Sequence, residues 1–405
     1  MNYEQALEYI HTRNMHTRKD GLNNITALCD KLGNPQDRLK FIHIAGTNGK
    51  GSVAAYISST LKAAGYRTGT CISPFVTVFN ERIQINGSYI SDSDLALYTQ
   101  RVADAGVPVT EFEFITALAF LYFADKRCDY VVLEAGMGGR FDATNIIKSP
   151  GAAVITLIDF DHTAYLGAEL SEIAWHKCGI IKKGCKVFTL CGQHPLAEEE
   201  IKKTCAEQDA ELIMAGSTQA AEFLPDKTRF SYGGTDFEIT MQGDFQPQNA
   251  ALAIEVLRGI GIEDRYIKEG LKRADMPCRF QIVRKDPYLI FDGAHNPSGC
   301  DALARSLEKY RIRKPTVIFG MSDDKEYKKC IKILAPLAGR FIATGFENPR
   351  AAKPDLLKKE AEKYCPDTGC ASDINRAFAL ASSNSDIVVC GSLYLVSEAA
   401  KRAGI

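Results

Sequence analysis

The residues richest in chemistry form one run, Ala45-Gly46-Thr47-Asn48-Gly49-Lys50-Gly51-Ser52. It follows the apolar stretch Phe41–Ala45 and opens a helical pattern, Ser52–Ala64, that Gly65 stops. Glycines let the backbone bend tightly and turn successive N–H groups toward an anion, and the start of a helix adds a partial positive charge. In such a loop Lys50 contacts the β- and γ-phosphates of a nucleotide, and the Ser52 hydroxyl ligates magnesium. The spacing departs from G-x-x-x-x-G-K-[ST], because Gly51 separates Lys50 from Ser52. A glycine-rich turn with no ligand is the bland alternative. The lysine and the hydroxyl residue in a strand-loop-helix setting weigh against it.

A phosphate site of this kind places an acidic residue at the end of a neighbouring strand, where it helps hold magnesium. Glu134 ends the apolar run Tyr130–Leu133 and leads into Gly136, Gly138 and Gly139, where another group can approach closely. Asp142 and Asn145, a little further on, fit a helix cap or a turn. The next apolar run, Ala152–Leu157, leads into Asp159-Phe160-Asp161-His162. That puts His162 just past the carboxyl end of a strand, where α/β sheets bind ligands. Alone it reads as a structural histidine. Beside the loop and Glu134 it reads as a metal ligand, although magnesium prefers oxygen.

Short apolar strands alternating with longer helical patterns predict an α/β fold. Lys186–Leu190 and Phe230–Thr240 read as strands at the edge of a first domain, with Gly233-Gly234 as a hairpin turn. Asn249–Arg258 returns as a helix. A break near Met276-Pro277-Cys278 precedes a second series with strands Tyr288–Phe291, Thr316–Phe319, Phe341–Thr344 and Ile387–Val389, and helix Ser298–Tyr310. The expected domains are 1–278 and 279–405, in keeping with a 405-residue chain too long for one ordinary core.

Net charge of −1 gives no general pull toward nucleic acid or anionic membrane. The longest mostly apolar run, Ile115–Ala124, is about half a bilayer span. The polar, acidic start Met1–Ile10 does not read as a signal peptide. Thirteen scattered cysteines with no C-x-x-C pair read as reduced, mostly buried thiols. Together these point to a cytoplasmic protein with no nucleic-acid or membrane partner.

In family order the chain carries GTNGKGS (Gly46–Ser52), Ser73-Pro74, NERI (Asn80–Ile83), FEFITA (Phe112–Ala117) and EAGMGGRFDATN (Glu134–Asn145). It continues with DHTAYLG (Asp161–Gly167), KCGI (Lys177–Ile180), QPQNA (Gln246–Ala250), RFQ (Arg279–Gln281), DGAHNP (Asp292–Pro297) and GSLYLV (Gly391–Val396). The set resembles the folylpolyglutamate synthase and dihydrofolate synthase family of Mur ligases and covers nearly the whole chain. The resemblance implies an N-terminal P-loop domain, like the Mur ligase central domain, and a smaller C-terminal Rossmann-like α/β domain, with the active site in the cleft. It implies an ATP-dependent ligase that adds L-glutamate to a folate or dihydropteroate carboxylate through an acyl phosphate, and a monomer by family default. Carried over by position, Ser52, Glu134 and His162 look like magnesium ligands. Lys177 looks like a lysine carbamylated by carbon dioxide, which completes a second metal site. Without the resemblance Lys177 reads as a surface lysine. Asn249, Arg279, Asp292 and His295 look like nucleotide contacts beside the loop Gly46, Thr47, Asn48, Gly49, Lys50, Gly51 and Ser52. Lys50, Lys177 and His162 form the catalytic set.

Two departures stand out. Phe75 follows Ser73-Pro74 where the family usually has histidine, and His176 and Cys178 flank Lys177 where the family reads E-K-A-G-I. His176 reads as structural, and Asp323-Asp324-Lys325 as a solvated turn. The alternative within the superfamily is a ligase acting on a cell-wall precursor, which the FEFITA stretch opposes. A nucleotide switch without ligase activity lacks an N-K-x-D motif, and a serine hydrolase lacks a G-x-S-x-G elbow.

Overall fold

The computed structural model describes residues 1–13, 21–382 and 384–404. The chain forms two compact units: Met1–Ser217 with Gln248–Ala274, and Thr218–Pro247 with Asp275–Ile405.

The first unit is built on eight strands. They are β1 (Phe41–Ala45), β2 (Thr68–Cys71), β3 (Ile83–Ile85), β4 (Ser88–Tyr89), β5 (Tyr130–Glu134), β6 (Ala152–Ile155), β7 (Lys186–Leu190) and β8 (Glu211–Ala215). Their order across the sheet is β4-β3-β2-β5-β1-β6-β7-β8. Every pairing from β2 to β8 is parallel, and only the β2–β3 and β3–β4 pairings at one edge are antiparallel. Strand β1 is buried along its whole length, as expected of a central parallel strand covered on both faces. One face carries the helix Glu111–Asp125, buried continuously from Glu113 to Phe123. Thr110 and Glu113 cap its start reciprocally: the Thr110 N–H donates to Glu113 Oε2 at 2.8 Å, and the Glu113 N–H to Thr110 Oγ1 at 3.2 Å. Phe114, Phe120 and Phe123 fill that core beside Phe41, each fully buried ring contributing about 1.5–3 kcal/mol. The opposite face packs Ala45, Ala135 and Ile155 against Ile173 and Cys178 of the helix Leu170–Cys178. Among the described residues no helix is long and apolar enough to cross a membrane, and the run Ile115–Ala124 lies inside the buried helix Glu111–Asp125.

The second unit holds two sheets. The strands β9 (Gln219–Leu224), β10 (Lys227–Tyr232) and β11 (Thr235–Ile239) form an antiparallel meander. Gly233 and Gly234, both with positive φ, make the two-residue turn between β10 and β11. The larger sheet contains β12 (Gln281–Lys285), β13 (Tyr288–Phe291), β14 (Thr316–Phe319), β15 (Arg340–Thr344), β16 (Thr368–Ala371) and β17 (Ile387–Cys390), ordered β12-β13-β17-β14-β15-β16. All its pairings are parallel except β12 with β13.

The sequence reading puts Phe230–Thr240 at the edge of the first domain. In the structure the meander belongs to the second unit. The Phe223 ring meets Tyr310 at 5.9 Å, and Arg305 Nε donates to Asp244 Oδ2 at 2.7 Å. The units therefore differ from the expected 1–278 and 279–405 by this excursion, Thr218–Pro247, and by a division between Ala274 and Asp275. All thirteen cysteines are free, and all but Cys191 and Cys370 are buried.

Candidate active site

Three neighbouring parallel strands, β5, β1 and β6, end side by side, and each is followed by a candidate segment. The loop after β1 is pinned to the exit of β6. The Thr47 N–H donates to the Leu157 carbonyl at 2.7 Å. Thr47 Oγ1 donates to the Asp159 carbonyl at 2.8 Å and accepts from the Asp159 N–H at 3.0 Å. Thr47 thus serves as a pin, and its side chain is occupied within the chain. A Cβ on Gly46 would collide with Thr156 Oγ1, so this close approach requires glycine.

The helix Lys50–Ala63 starts after Gly49 (φ 91°) with no side-chain cap, so the positive end of the helix faces the loop. Asn249 packs over this start: its Oδ1 lies 2.6 Å from where a Gly49 Cβ would stand. Lys50 folds back into the loop, its Nζ donating to the carbonyls of Gly46 and Thr47 at 3.2 Å each.

Glu134 ends β5 and is buried, with Oε1 at 3.9 Å from Lys50 Nζ. Its Oε2 accepts from the Ser73 N–H at 3.1 Å, which ties the Ser73-Pro74 loop to the site. In that loop Phe75 sits under the Arg82 guanidinium, 5.1 Å from the ring centre. Glu81 shapes the same loop by accepting from the N–H groups of Val76, Thr77 and Val78 at 2.7–2.9 Å.

Lys177 lies in the last turn of the helix Leu170–Cys178 and is buried, donating to the Gly46 carbonyl at 2.7 Å. Burial first, and then the charge of Lys50, push its amine down to about 7. The structure therefore joins Lys50, Glu134, Lys177 and the loop from Gly46. His162, in left-handed conformation at φ 52°, opens the short helix Thr163–Leu166, and its Nε2 stands 3.8 Å from Asp161 Oδ2.

Asp142 is a cap, one of the two readings its sequence allowed. Its Oδ1 accepts from the Thr144 N–H at 3.1 Å and the Thr144 hydroxyl at 2.6 Å, and its Oδ2 from the Met137 N–H at 2.8 Å. Burial raises its carboxyl above the usual range. His43 on β1 completes this network, with Nε2 at 2.9 Å from Thr144 Oγ1. Burial pushes the His43 ring down to about 3, so it is neutral, and with the Thr144 proton committed to Asp142 its Nε2–H is the donor. Sequence reasoning missed His43 and the pin of Thr47 at Leu157 and Asp159. The legible signal was a histidine inside an otherwise apolar strand.

The second unit gathers the other candidates. Asp292 follows β13 and is buried, accepting from the N–H groups of Phe280 and Ala294 at 2.7 Å each. Burial raises its carboxyl, opposed by those N–H groups and by Arg279. Arg279 Nη1 lies 3.1 Å from where a Gly293 Cβ would be, and His295 Nδ1 lies 2.8 Å from the Gly293 carbonyl. Arg279, Asp292 and His295 thus surround one turn.

Residues 44–257 match the Mur ligase middle domain, and residues 278–393 the Mur ligase glutamate ligase domain. The chain is 35% identical to a dihydrofolate synthase/folylpolyglutamate synthase of Bacillus subtilis, over 99% of each protein. It is 34% identical to a folylpolyglutamate synthase of Lacticaseibacillus casei, over 98% of this chain and 97% of that one. Among solved structures it resembles a Mycobacterium tuberculosis folylpolyglutamate synthase complexed with ADP, at TM-score 0.92 and 28% identity, over 100% of this chain and 98% of that one. An FPGS complex with AMPPCP and folate matches at TM-score 0.87 and 30% identity, over 99% of both chains. The strand-end site and this full-length likeness agree: the chain belongs to the folylpolyglutamate/dihydrofolate synthase family of Mur ligases.

Proposed function

We propose that this chain is an ATP-dependent amide ligase that joins L-glutamate to the carboxylate of a folate or dihydropteroate. The observation that carries the reading is the convergence of the uncapped helix start, Lys50, Glu134 and Lys177 at the ends of three adjacent strands. A carboxylate is a poor electrophile and must be activated. One of its oxygens attacks the γ-phosphorus of ATP, ADP leaves, and an acyl phosphate forms. The glutamate amine then adds to the acyl carbon, and the tetrahedral adduct expels phosphate together with the bridging oxygen. The amine proton passes to solvent. Lys50 offsets the charge that builds on the transferred phosphoryl group. The loop Gly46–Ser52 and Asn249 hold the phosphates, Arg279 and His295 contact the nucleotide, and Asp292 shapes the turn that presents them.

The residues present fit magnesium. Among the described residues no three of His, Cys, Asp and Glu form a metal cage. Magnesium usually takes one or two carboxylates together with substrate phosphates; Glu134 offers the carboxylate and Ser52 a hydroxyl oxygen. They also fit a lysine carbamate, since carbon dioxide combines with a neutral amine and burial keeps Lys177 near neutrality. Ser52, Glu134, His162 and the Lys177 carbamate would hold the metal at two sites; bound there, it would supply charge neutralisation for phosphoryl transfer. A monomer in the cytoplasm completes the reading.

The test is a substrate panel with magnesium and bicarbonate. ADP release is expected only when ATP, a pteroate-type acceptor and glutamate are all present, with the acceptor gaining the mass of one glutamyl residue. Comparing dihydropteroate with reduced folates assigns the acceptor. Turnover with neither acceptor contradicts the proposal.

A further inference from the structure

The loop that follows Glu134 also closes the end of the helix that carries Lys177. The last carbonyls of a helix lack intrahelical partners, and cations are favoured beside them. Here the donors come from one short segment. The Arg140 N–H donates to the His176 carbonyl at 2.6 Å. Arg140 Nε and Nη2 both donate to the Trp175 carbonyl at 3.3 Å, while the guanidinium lies 3.9 Å from the Trp175 ring centre. Asn145 Nδ2 donates to the Gly179 carbonyl at 3.1 Å and to the Arg140 carbonyl at 3.0 Å. The two backbones approach so closely that a Cβ on Gly179 would collide with Arg140, and one on Gly139 would lie 2.8 Å from the Lys177 carbonyl.

We propose that Arg140 and Asn145 are positioning residues for Lys177, clamping its helix so that its amine is held at the Gly46 carbonyl. This rests on the ligase reading above, in which Lys177 serves the site. A flat fork that both stacks and donates twice is a guanidinium property, so lysine is a poor substitute for Arg140.

The test compares wild type with Arg140→Ala and Arg140→Lys by steady-state kinetics and by acetic anhydride labelling of Lys177, read by mass spectrometry against the exposed Lys186. Arg140→Ala is expected to lower kcat about 10–100-fold, with KM for ATP moving less than about threefold, as for other supporting residues one step removed from a metal site. Lys177 should be labelled faster relative to Lys186, and Arg140→Lys should restore little. Wild-type kcat in Arg140→Ala, or a lowered kcat with Lys177 labelled no faster, overturns the proposal. If Arg140→Ala loses its far-ultraviolet dichroism, Asn145→Ala decides by the same two readouts. A wild type without ligase turnover refutes the proposed function, and the labelling comparison still decides this one.

Discussion

Two buried carboxylates, Glu134 in the first unit and Asp292 in the second, follow apolar strands and look alike in sequence, yet the fold employs them differently. Asp292 spends both oxygens on backbone N–H groups, of Phe280 and Ala294, and so holds a turn in shape. Glu134 gives one oxygen to the Ser73 N–H and turns the other toward the Lys50 ammonium, 3.9 Å away at the mouth of the phosphate loop. A carboxylate bonded only to backbone is a scaffold, whereas one facing an ammonium beside an uncapped helix start is placed for chemistry. Burial alone does not separate the two.

The sharpest way to break this contrast is to remove the cation. Lys50→Ala is expected to lower kcat about 100–1,000-fold, the usual effect of losing one group that stabilises transition-state charge. Its urea midpoint should stay near wild type. An equally large fall in midpoint would make Lys50 a structural residue.

Asp292→Ala should do the reverse and register first as lost stability. Each N–H left unpaired costs about 1–3 kcal/mol. Urea denaturation followed by fluorescence checks this, and an unchanged midpoint would place Asp292 with Glu134.

The smallest effect is a pH slope. The amine of Lys177 sits at about 7 in the fold against an ordinary value of 10.5. Between those values the unfolded chain binds the proton and the native state does not, so stability rises with pH across that window. Below about 7 both states are protonated and the penalty of the buried charge is complete. In buffer freed of carbon dioxide, Lys177→Met should flatten the slope of the urea midpoint between about pH 7 and 10. A slope equal to wild type would assign the titration to another group.

Much of this was legible in the sequence, for reasons of pattern. Strands such as Phe41–Ala45, Lys186–Leu190, Tyr288–Phe291 and Thr316–Phe319 are mostly apolar runs, and the structure returns the same bounds. By contrast Thr68–Cys71 is a central strand made of small and polar residues, with no run to mark it. The excursion Thr218–Pro247 was hidden because its membership depends on Tyr310 and Arg305, far along the chain. At the site, the loop and Glu134 are local motifs and were readable. Lys177 reaches a carbonyl 131 positions away, and burial and the charge of Lys50 lower its pKa, tertiary features that no local pattern reveals. Only the likeness around KCGI singled it out. The pinning of Thr47 by Asp159 is a tertiary pairing of the same kind.

The central claim, that a strand-end phosphate site activates a carboxylate, has a direct isotopic test. The acceptor is prepared with oxygen-18 in its reacting carboxylate and turned over with unlabelled ATP and glutamate. One oxygen-18 atom is expected in each inorganic phosphate released, because the bridging oxygen of the acyl phosphate leaves with phosphorus. Amide product accompanied by phosphate carrying no label would contradict the account.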